Sequence, residues 1–326
     1  MLVPLLAAGS FLLGAGLPGG APSAGSFLLG AALPGGVRSA EPVRYAGLTS
    51  CPGANGKRHI CGPWRLWLRG GRTLSLRDAQ IRSLDARGRE EAQRAPIAVD
   101  PYGRHVAYFT TANRRLVVRN VASGKLTRIP GTAGRLPSGL RMADVELRVG
   151  PEGRYLVLDP TRSTQRGVSL IEVATGKTWT LPHYASVQGF SPDGRLLRVI
   201  LDMEETAVYR PGGAVPSGGV TLTGWGALTS DGATLAGAAR EGSRVVVRFY
   251  ATSNAMESRT PVRVKVPATE NPRMLRWDSG ARMTLLTLDE PRTFVARTVN
   301  AGSGAARVVD RFTVGKHTWD VHLAGA

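Results

Sequence analysis

The sequence predicts an all-β protein folded as a six-bladed β-propeller, and two observations support this prediction. First, a tight turn followed by an apolar strand recurs, and its glycines fall at Gly103, Gly153, Gly194, Gly232 and Gly280. They are separated by 50, 41, 38 and 48 residues, a spacing typical of one four-stranded blade. Second, the chain begins with an incomplete unit and ends with one spare strand, so its two ends can complete a blade together.

The clearest of the recurring turns is the segment Phe190-Ser-Pro-Asp-Gly-Arg195. Pro192 presets φ for the first central position of a turn, and Gly194 can adopt a positive φ without a steric penalty. An apolar run resumes directly after Arg195. Together these features indicate a β-hairpin.

Two consecutive units, residues 97–129 and 145–181, match each other strand by strand. Between their last two strands lie Ala122-Ser-Gly-Lys125 and Ala174-Thr-Gly-Lys177, so their turns match as well. Residues 131–142 form an inserted connection between the two units. The remaining units begin, in order, at Val187, Trp225 and Met274.

An incomplete unit covers Trp64 to Leu84, where apolar residues alternate but the leading strand and its turn are missing. The spare strand is Thr318 to Leu323. A propeller must close, because an open end would leave unpaired strand edges and an uncovered apolar face. The sequence therefore predicts a sixth blade that joins these two segments, within a propeller domain over residues 63–326.

Residues 1–40 are expected to be a signal peptide. No charged side chain occurs from Met1 to Val37, and Gly and Pro interrupt the apolar clusters before they reach the ~20 residues of a membrane-spanning helix. An apolar stretch that ends in small residues is typical of secretory signals, although no Lys or Arg precedes it here. The alternative is a disordered Gly/Ala-rich segment. A signal would make the mature protein secreted and leave it without a transmembrane span.

The only two cysteines, Cys51 and Cys61, bracket a short turn-rich loop in the expected linker of residues 41–62. In an exported chain this pattern predicts a disulfide. A metal site would need further ligands, and only His59 lies near. Lipid anchoring is a second alternative, because Leu48-Thr-Ser-Cys51 is similar to a lipobox. Charged residues before Cys51 argue against it, and it would leave Cys61 unpaired.

The chain carries a formal net charge of +18, and nearly all of its positive side chains are Arg. Such a charge can attract nucleic acid, anionic lipid or an acidic envelope polymer. The arginines are scattered through every unit and form no run of five, which favours charge spread over solvent-facing surfaces. We therefore do not expect nucleic acid to be the partner.

No sequence motif indicates a catalytic residue, a cofactor site or a metal site. The five histidines lack metal-motif spacing, and no Gly-x-Ser-x-Gly elbow or phosphate-binding glycine loop occurs. Asp159, Asp202, Glu204 and Glu205 could converge on a propeller channel as acids and bases, but each is more simply a strand-end or loop residue. The six tryptophans are expected to pack between blades, with a minority on a binding face.

The repeated Pro-Asp-Gly-Arg hairpins and Ala-Thr-Gly-Lys turns resemble those of TolB-like and WD40-like β-propellers over residues 62–324. More narrowly, the segments Cys61-Gly-Pro-Trp-Arg-Leu66, Phe190-Ser-Pro-Asp-Gly194 and Val309-Asp-Arg-Phe-Thr313 resemble exported WD40-repeat proteins of Gram-positive bacteria. This resemblance implies a secreted propeller without assigned catalysis.

The Trp-Asp pair that ends the third strand of eukaryotic WD40 repeats is replaced here by Arg119-Asn120 and Ile171-Glu172. TolB-like is therefore the better description, and the WD40 hydrogen-bond network is not expected. We expect a monomeric, exported, non-catalytic module that binds a protein or an anionic envelope polymer and needs no cofactor. The alternative is a propeller hydrolase or lyase that uses channel carboxylates.

Overall fold

Short antiparallel strands make up most of the computed structural model, which describes residues 41–54, 57–160, 166–216, 218–222 and 224–325. The signal peptide expected over residues 1–40 lies outside the described residues. No helix in the described part of the chain is long and apolar enough to cross a membrane.

The strands are numbered in chain order. Those of the first half are β1 (Val43–Pro52), β2 (Arg58–Ile60), β3 (Trp64–Leu68), β4 (Thr73–Leu76), β5 (Arg82–Leu84), β6 (Glu90–Arg94), β7 (Ile97–Val99), β8 (His105–Phe109), β9 (Leu116–Asn120), β10 (Leu126–Arg128), β11 (Glu146–Val149), β12 (Tyr155–Asp159), β13 (Val168–Glu172) and β14 (Thr178–Leu181). Those of the second half are β15 (Ala185–Phe190), β16 (Leu197–Leu201), β17 (Glu205–Tyr209), β18 (Val220–Thr221), β19 (Trp225–Leu228), β20 (Thr234–Glu241), β21 (Arg244–Ala251), β22 (Glu257–Val264), β23 (Asn271–Ser279), β24 (Arg282–Leu288), β25 (Thr293–Asn300), β26 (Ala306–Thr313) and β27 (Thr318–Leu323).

These strands form six blades in a ring, which confirms the predicted six-bladed β-propeller. Blades 2 to 6 each contain four consecutive strands: β7–β10, β11–β14, β15–β18, β19–β22 and β23–β26. Blade 1 consists of β27, β1, β3 and β4, with β2 paired to the end of β1. The strand of each blade that borders the central channel is called the innermost strand; it is β27 in blade 1 and β7, β11, β15, β19 and β23 in blades 2 to 6.

The hydrophobic core is divided into layers between neighbouring blades. Leu116 and Val118 of blade 2 belong to one buried cluster with Leu147 and Leu156 of blade 3. Similar clusters join blades 1 and 2, blades 3 and 4, and blades 5 and 6. Because burial of one such side chain stabilises the fold by roughly 1.5–3 kcal/mol, stability is distributed around the whole ring.

Two of the recurring turns share a set of side-chain hydrogen bonds. Ser191 Oγ donates to Asp193 at 2.6 Å and accepts from the Leu196 amide at 3.0 Å. Thr229 makes the corresponding bonds in the next blade. The five turn glycines all have a positive φ, the conformation that glycine adopts without strain. At Gly103 a Cβ would also overlap the Val43 carbonyl of blade 1.

The C-terminal strand closes the ring, but its direct neighbour is β1. β27 pairs with β1, with Thr49 opposite Thr318 and Tyr45 opposite Leu323, and β1 then pairs with β3. Val43–Pro52 is therefore a blade strand, although the sequence indicates a linker over residues 41–62. Its Arg and Gly residues and the lack of a turn motif before it conceal its strand character.

Residues 81–84 also differ from expectation. The sequence includes them in the incomplete unit that helps to form blade 1, but β5 pairs with β6 in a separate hairpin between blades 1 and 2. The outermost strand of blade 1 is β4.

Aromatic stacking and an ion pair reinforce the closure between blades 1 and 6. Tyr45 stacks on Trp67 with 4.7 Å between ring centroids and on Phe312 of blade 6 at 5.7 Å. Arg44 donates two hydrogen bonds to Asp310, at 2.8 and 2.6 Å, and its guanidinium lies over Phe312. The N-terminal strand thus joins the first blade to the last.

Candidate functional site

The two faces of the ring differ in construction. We call the face at which the innermost strands begin the upper face, and the opposite face the lower face. The recurring glycine turns lie on the lower face, where each joins the first and second strands of a blade. The upper face carries three additions to this regular pattern.

The first addition is the β1–β2 hairpin, closed by the Cys51–Cys61 disulfide, which confirms the predicted bond. The second is the β5–β6 hairpin between blades 1 and 2. The third is the connection of residues 131–144 between blades 2 and 3, which contains the short 3-10 turns Thr132–Gly134 and Met142–Asp144. All three adjoin the upper ends of blades 1, 2 and 3.

Ion pairs and hydrogen bonds hold these additions to one another and to the innermost strands. Arg141 pairs with Asp144 at 2.7 Å and with Glu91 of β6 at 3.4 Å. Arg94, also on β6, pairs with Asp320 of β27 at 3.1 Å. Arg58 of the disulfide hairpin lies 2.9 Å from Nδ1 of His317, just before β27, so all three additions are joined through β27 and β6 into one connected wall.

A cavity of about 620 Å³ lies inside this wall, at the upper mouth of the channel. Its lining includes Ile60 from the disulfide hairpin, Arg94 from β6 and Met142 from the long connection, together with Trp319 and His322 from β27. Each addition thus contributes a residue to the same concave surface.

Exposed aromatic side chains lie at the upper ends of three innermost strands, and one of them, Trp319, lines the mouth cavity. Trp319 at the start of β27 is 43 % exposed and Trp225 at the start of β19 is 44 % exposed, while Tyr184, just before β15, is 43 % exposed. By contrast, Trp64 and Trp277 are buried between blades. The tryptophans therefore divide into packing residues and a minority on the upper face, as the sequence suggests.

His322 occupies an unusual place on the channel wall. Its Nε2 atom is buried and has no hydrogen-bond partner among the described residues. Its ring meets Trp64 edge-on at 5.7 Å. Burial, and then the charges of Arg94 and Arg148, lower the pKa of His322 to about 3, so the ring is neutral at physiological pH. It can offer a hydrogen bond but does not carry charge.

A second cavity of about 320 Å³ lies deeper in the channel, and Glu146 lines both cavities. Three arginines from three blades line the deeper one: Arg148, Arg198 and Arg276. Arg276 is fully engaged, because it pairs with Asp278 at 2.9 Å, lies over the Tyr102 ring at 4.6 Å and donates to the Pro101 carbonyl.

The acidic candidates do not form a single site. Asp159 lies opposite Glu146 in the β11–β12 pairing, accepts from Ser186 at 3.4 Å, and has its pKa raised by burial and by Glu146. Asp202 and Glu204 are exposed in the turn between β16 and β17. Glu205 accepts from the Gly219 amide at 2.9 Å. No group of three potential metal ligands occurs among the described residues.

The sequence did not single out Arg94, Glu146, Arg148 or Arg198. The signal available for two of them is the alternation Glu146-Leu-Arg148, which places charge on one side of an innermost strand. The long spacing of 50 residues between Gly103 and Gly153 also marks the extra connection that borders the mouth.

No family model matches this chain, and no curated protein matches it significantly. Solved structures with a similar fold include TolB from Acinetobacter baumannii, at 17 % identity and a TM-score of 0.44, covering 86 % of this chain and 65 % of that one. Dipeptidyl peptidase 4 from Porphyromonas gingivalis matches at 16 % identity and a TM-score of 0.40, covering 68 % of this chain and 40 % of that one. A chain of a nidogen–laminin complex matches at 9 % identity and a TM-score of 0.44, covering 85 % of this chain and 96 % of that one.

These likenesses concern the fold alone. The arrangement of the sheets themselves defines the class of this protein: it is a six-bladed β-propeller whose N- and C-terminal strands share a blade. Its particular character lies in the elaborated upper mouth and the arginines beneath it.

Proposed function

We propose that this protein is an extracytoplasmic, non-catalytic binding module that holds its partner at the upper mouth of the channel. The observation that supports this most strongly is that three separate departures from the blade pattern border one cavity. On the upper face, blades 4 to 6 are joined by short connections without such additions. A concave site with exposed aromatic residues at its rim suits a protein or an envelope polymer.

The disulfide supports the extracytoplasmic location, because such bonds persist in oxidising compartments. It also argues against lipid anchoring at Cys51, since the sulfur of Cys51 is bonded to Cys61. Export through a signal in residues 1–40 is part of this proposal.

The test is retention of envelope proteins and wall polymers on the immobilised protein. Trp319→Ala removes an exposed mouth residue, and Met256→Ala, 66 % exposed in a turn on the lower face, is the matched control. We expect retention by the wild type and by Met256→Ala, and a loss of about tenfold in Trp319→Ala. Equal retention by all three proteins would contradict the proposal.

A second candidate, a hydrolase or lyase, is favoured by one observation: the carboxylates of Glu146 and Asp320 line one cavity with His322. Both carboxylates are engaged, Glu146 by Arg148 at 2.7 Å and Asp320 by Arg94 at 3.1 Å. Asp159, with its raised pKa, is the residue most suited to act as an acid. Turnover of a glycoside, lactone or ester panel that Asp159→Asn abolishes would replace the binding proposal with this one.

A further inference from the structure

Arg198 reaches the channel from the second strand of blade 4. Its partner in the β15–β16 pairing is Gly189, which lies at a β-bulge of β15 and has no side chain. Gly226 of the next blade leaves room for the guanidinium, because a Cβ there would lie 2.9 Å from Nη1 and 3.1 Å from Cζ of Arg198. Two glycines on neighbouring innermost strands thus give this arginine access to the deeper cavity.

Among the described residues, no carboxylate balances the charge of Arg198. Its one hydrogen bond is from Nη2 to the Gln188 carbonyl at 3.0 Å, and no described acidic group lies within ion-pair distance. Burial, followed by the charge of Arg148, lowers the pKa of Arg198 to about 10, which leaves it protonated at neutral pH. An uncompensated, partly buried charge lowers the stability of the folded state, and a bound anion would compensate it.

Arg148 contributes a second incomplete guanidinium to the same cavity. It pairs with Glu146 at 2.7 Å, but its Nε atom is buried and has no hydrogen-bond partner among the described residues. Its side chain is only 19 % exposed. The cavity therefore presents more donors and more positive charge than its own acceptors satisfy.

We propose that Arg148 and Arg198 form a binding site for an oxyanion, the carboxylate or phosphate group of the ligand held at the upper mouth. Two guanidinium groups suit such a group, because each offers planar N–H donors that match carboxylate and phosphate oxygens. Phe190, Trp225 and Met274 supply the apolar part of the wall. A volume of about 320 Å³ fits one anionic residue of a larger ligand.

This inference deepens the proposed function, because it specifies the chemistry that the bound partner presents. Glu146 lines both cavities, so the two adjoin at this side chain. A ligand at the mouth can therefore place one anionic group below it, between the two arginines.

Calorimetric titration of the full-length protein tests this site directly. The probes are inorganic phosphate for the phosphate arm, glucuronate for the carboxylate arm and glucose as the neutral control. We expect saturable binding of at least one anion and none of glucose. The anion that binds with the higher affinity identifies the anionic group. Absence of saturable binding in both anion arms would overturn the proposal.

Three variants locate the binding. Arg198→Met should weaken anion binding at least tenfold, since hydrogen bonds to charged groups are strong. Glu146→Gln should strengthen it about threefold or more, because it removes a competing negative charge. Arg195→Met, whose side chain is 74 % exposed on a lower-face turn, should leave it unchanged. Equal affinities in all three variants would place the anion elsewhere and overturn the site.

The unliganded stability of Arg198→Met provides a readout independent of binding. Replacement of an uncompensated charge by an apolar side chain of similar length should leave thermal stability equal or higher. A clear loss of stability would show that Arg198 is a structural residue and would contradict the proposal. If neither anion binds but mouth variants still lose retention of the partner, this inference fails while the proposed function stands.

Discussion

The lower and upper faces of this propeller are built by different rules. On the lower face, five turns each place a glycine at positive φ, and two of them also share a short side-chain bond such as Ser191–Asp193. On the upper face, a disulfide hairpin, a β-hairpin and a long connection interrupt the repeat and border a cavity. Both faces belong to the same blades, so they differ in the connections between strands and not in the strands themselves.

This contrast separates residues that stabilise the ring from residues that contribute little to its stability. A turn glycine packed against the next blade is constrained by geometry, whereas an exposed tryptophan at a channel mouth is not required for packing. We therefore expect substitutions of the turn glycines to reduce stability and substitutions of exposed upper-face side chains to affect binding. The following predictions test this division, from the largest expected effect to the smallest.

The largest effect among the surface turns should come from Gly103→Ala on the lower face. Gly103 has a φ of 70°, and a Cβ would overlap the Val43 carbonyl of blade 1. Left-handed strain and this overlap together should lower the free energy of unfolding by about 3–4 kcal/mol. The control is Gly280→Ala, with a φ of 46° and open space around it, which should cost about 1 kcal/mol. Equal losses in urea unfolding would contradict the proposed contact.

Loss of the upper-face disulfide should have the next largest effect. The bond closes a loop with a sequence separation of 10 residues, so the Cys51→Ser/Cys61→Ser double variant should lose about 2–3 kcal/mol on the chain-entropy model. Denaturant midpoints measured with and without a reducing agent give the same comparison for the wild type. If the reducing agent lowered the denaturant midpoint of the double variant as much as that of the wild type, the disulfide could not be the cause of the shift.

The channel histidine should make stability fall at acidic pH. The unfolded chain protonates His322 near pH 6.5, whereas in the folded protein its pKa is about 3. Unfolding therefore takes up a proton below pH 6.5, and acidification from pH 6.5 to 5 should cost about 1–2 kcal/mol through this residue. The His322→Gln variant should lose this part of the pH dependence. Superimposable stability profiles for wild type and variant would show that His322 is not held neutral.

The smallest stability effect should come from Trp319→Ala at the mouth. Because the side chain is 43 % exposed, its removal should change the free energy of unfolding by less than about 1 kcal/mol. Trp64→Ala is the comparison, since Trp64 is fully buried and donates to the Gln80 carbonyl; it should cost about 3–5 kcal/mol. Thermal unfolding of the two variants gives both values, and a Trp319 effect as large as that of Trp64 would make it a core residue.

The sequence predicts the regular parts of this molecule because turn chemistry is local. Pro192 and Gly194 determine a turn with their own backbone preferences, and the repeat then implies blades and closure. It does not reveal β1, whose strand character depends on pairing with a segment about 270 residues away. Nor does it reveal that Arg198 reaches the channel, which follows from glycines at positions 189 and 226 on two other strands.

Hydrogen exchange of the protein bound to the envelope fraction that it retains would test the central claim, that function resides at the upper mouth, most directly. We expect new protection in the segments that line the mouth, residues 58–60, 90–94, 142–147 and 319–322, with the lower turns at residues 191–195 and 229–232 unchanged. Protection confined to the lower turns, residues 100–104, 191–195 and 229–232, would contradict it.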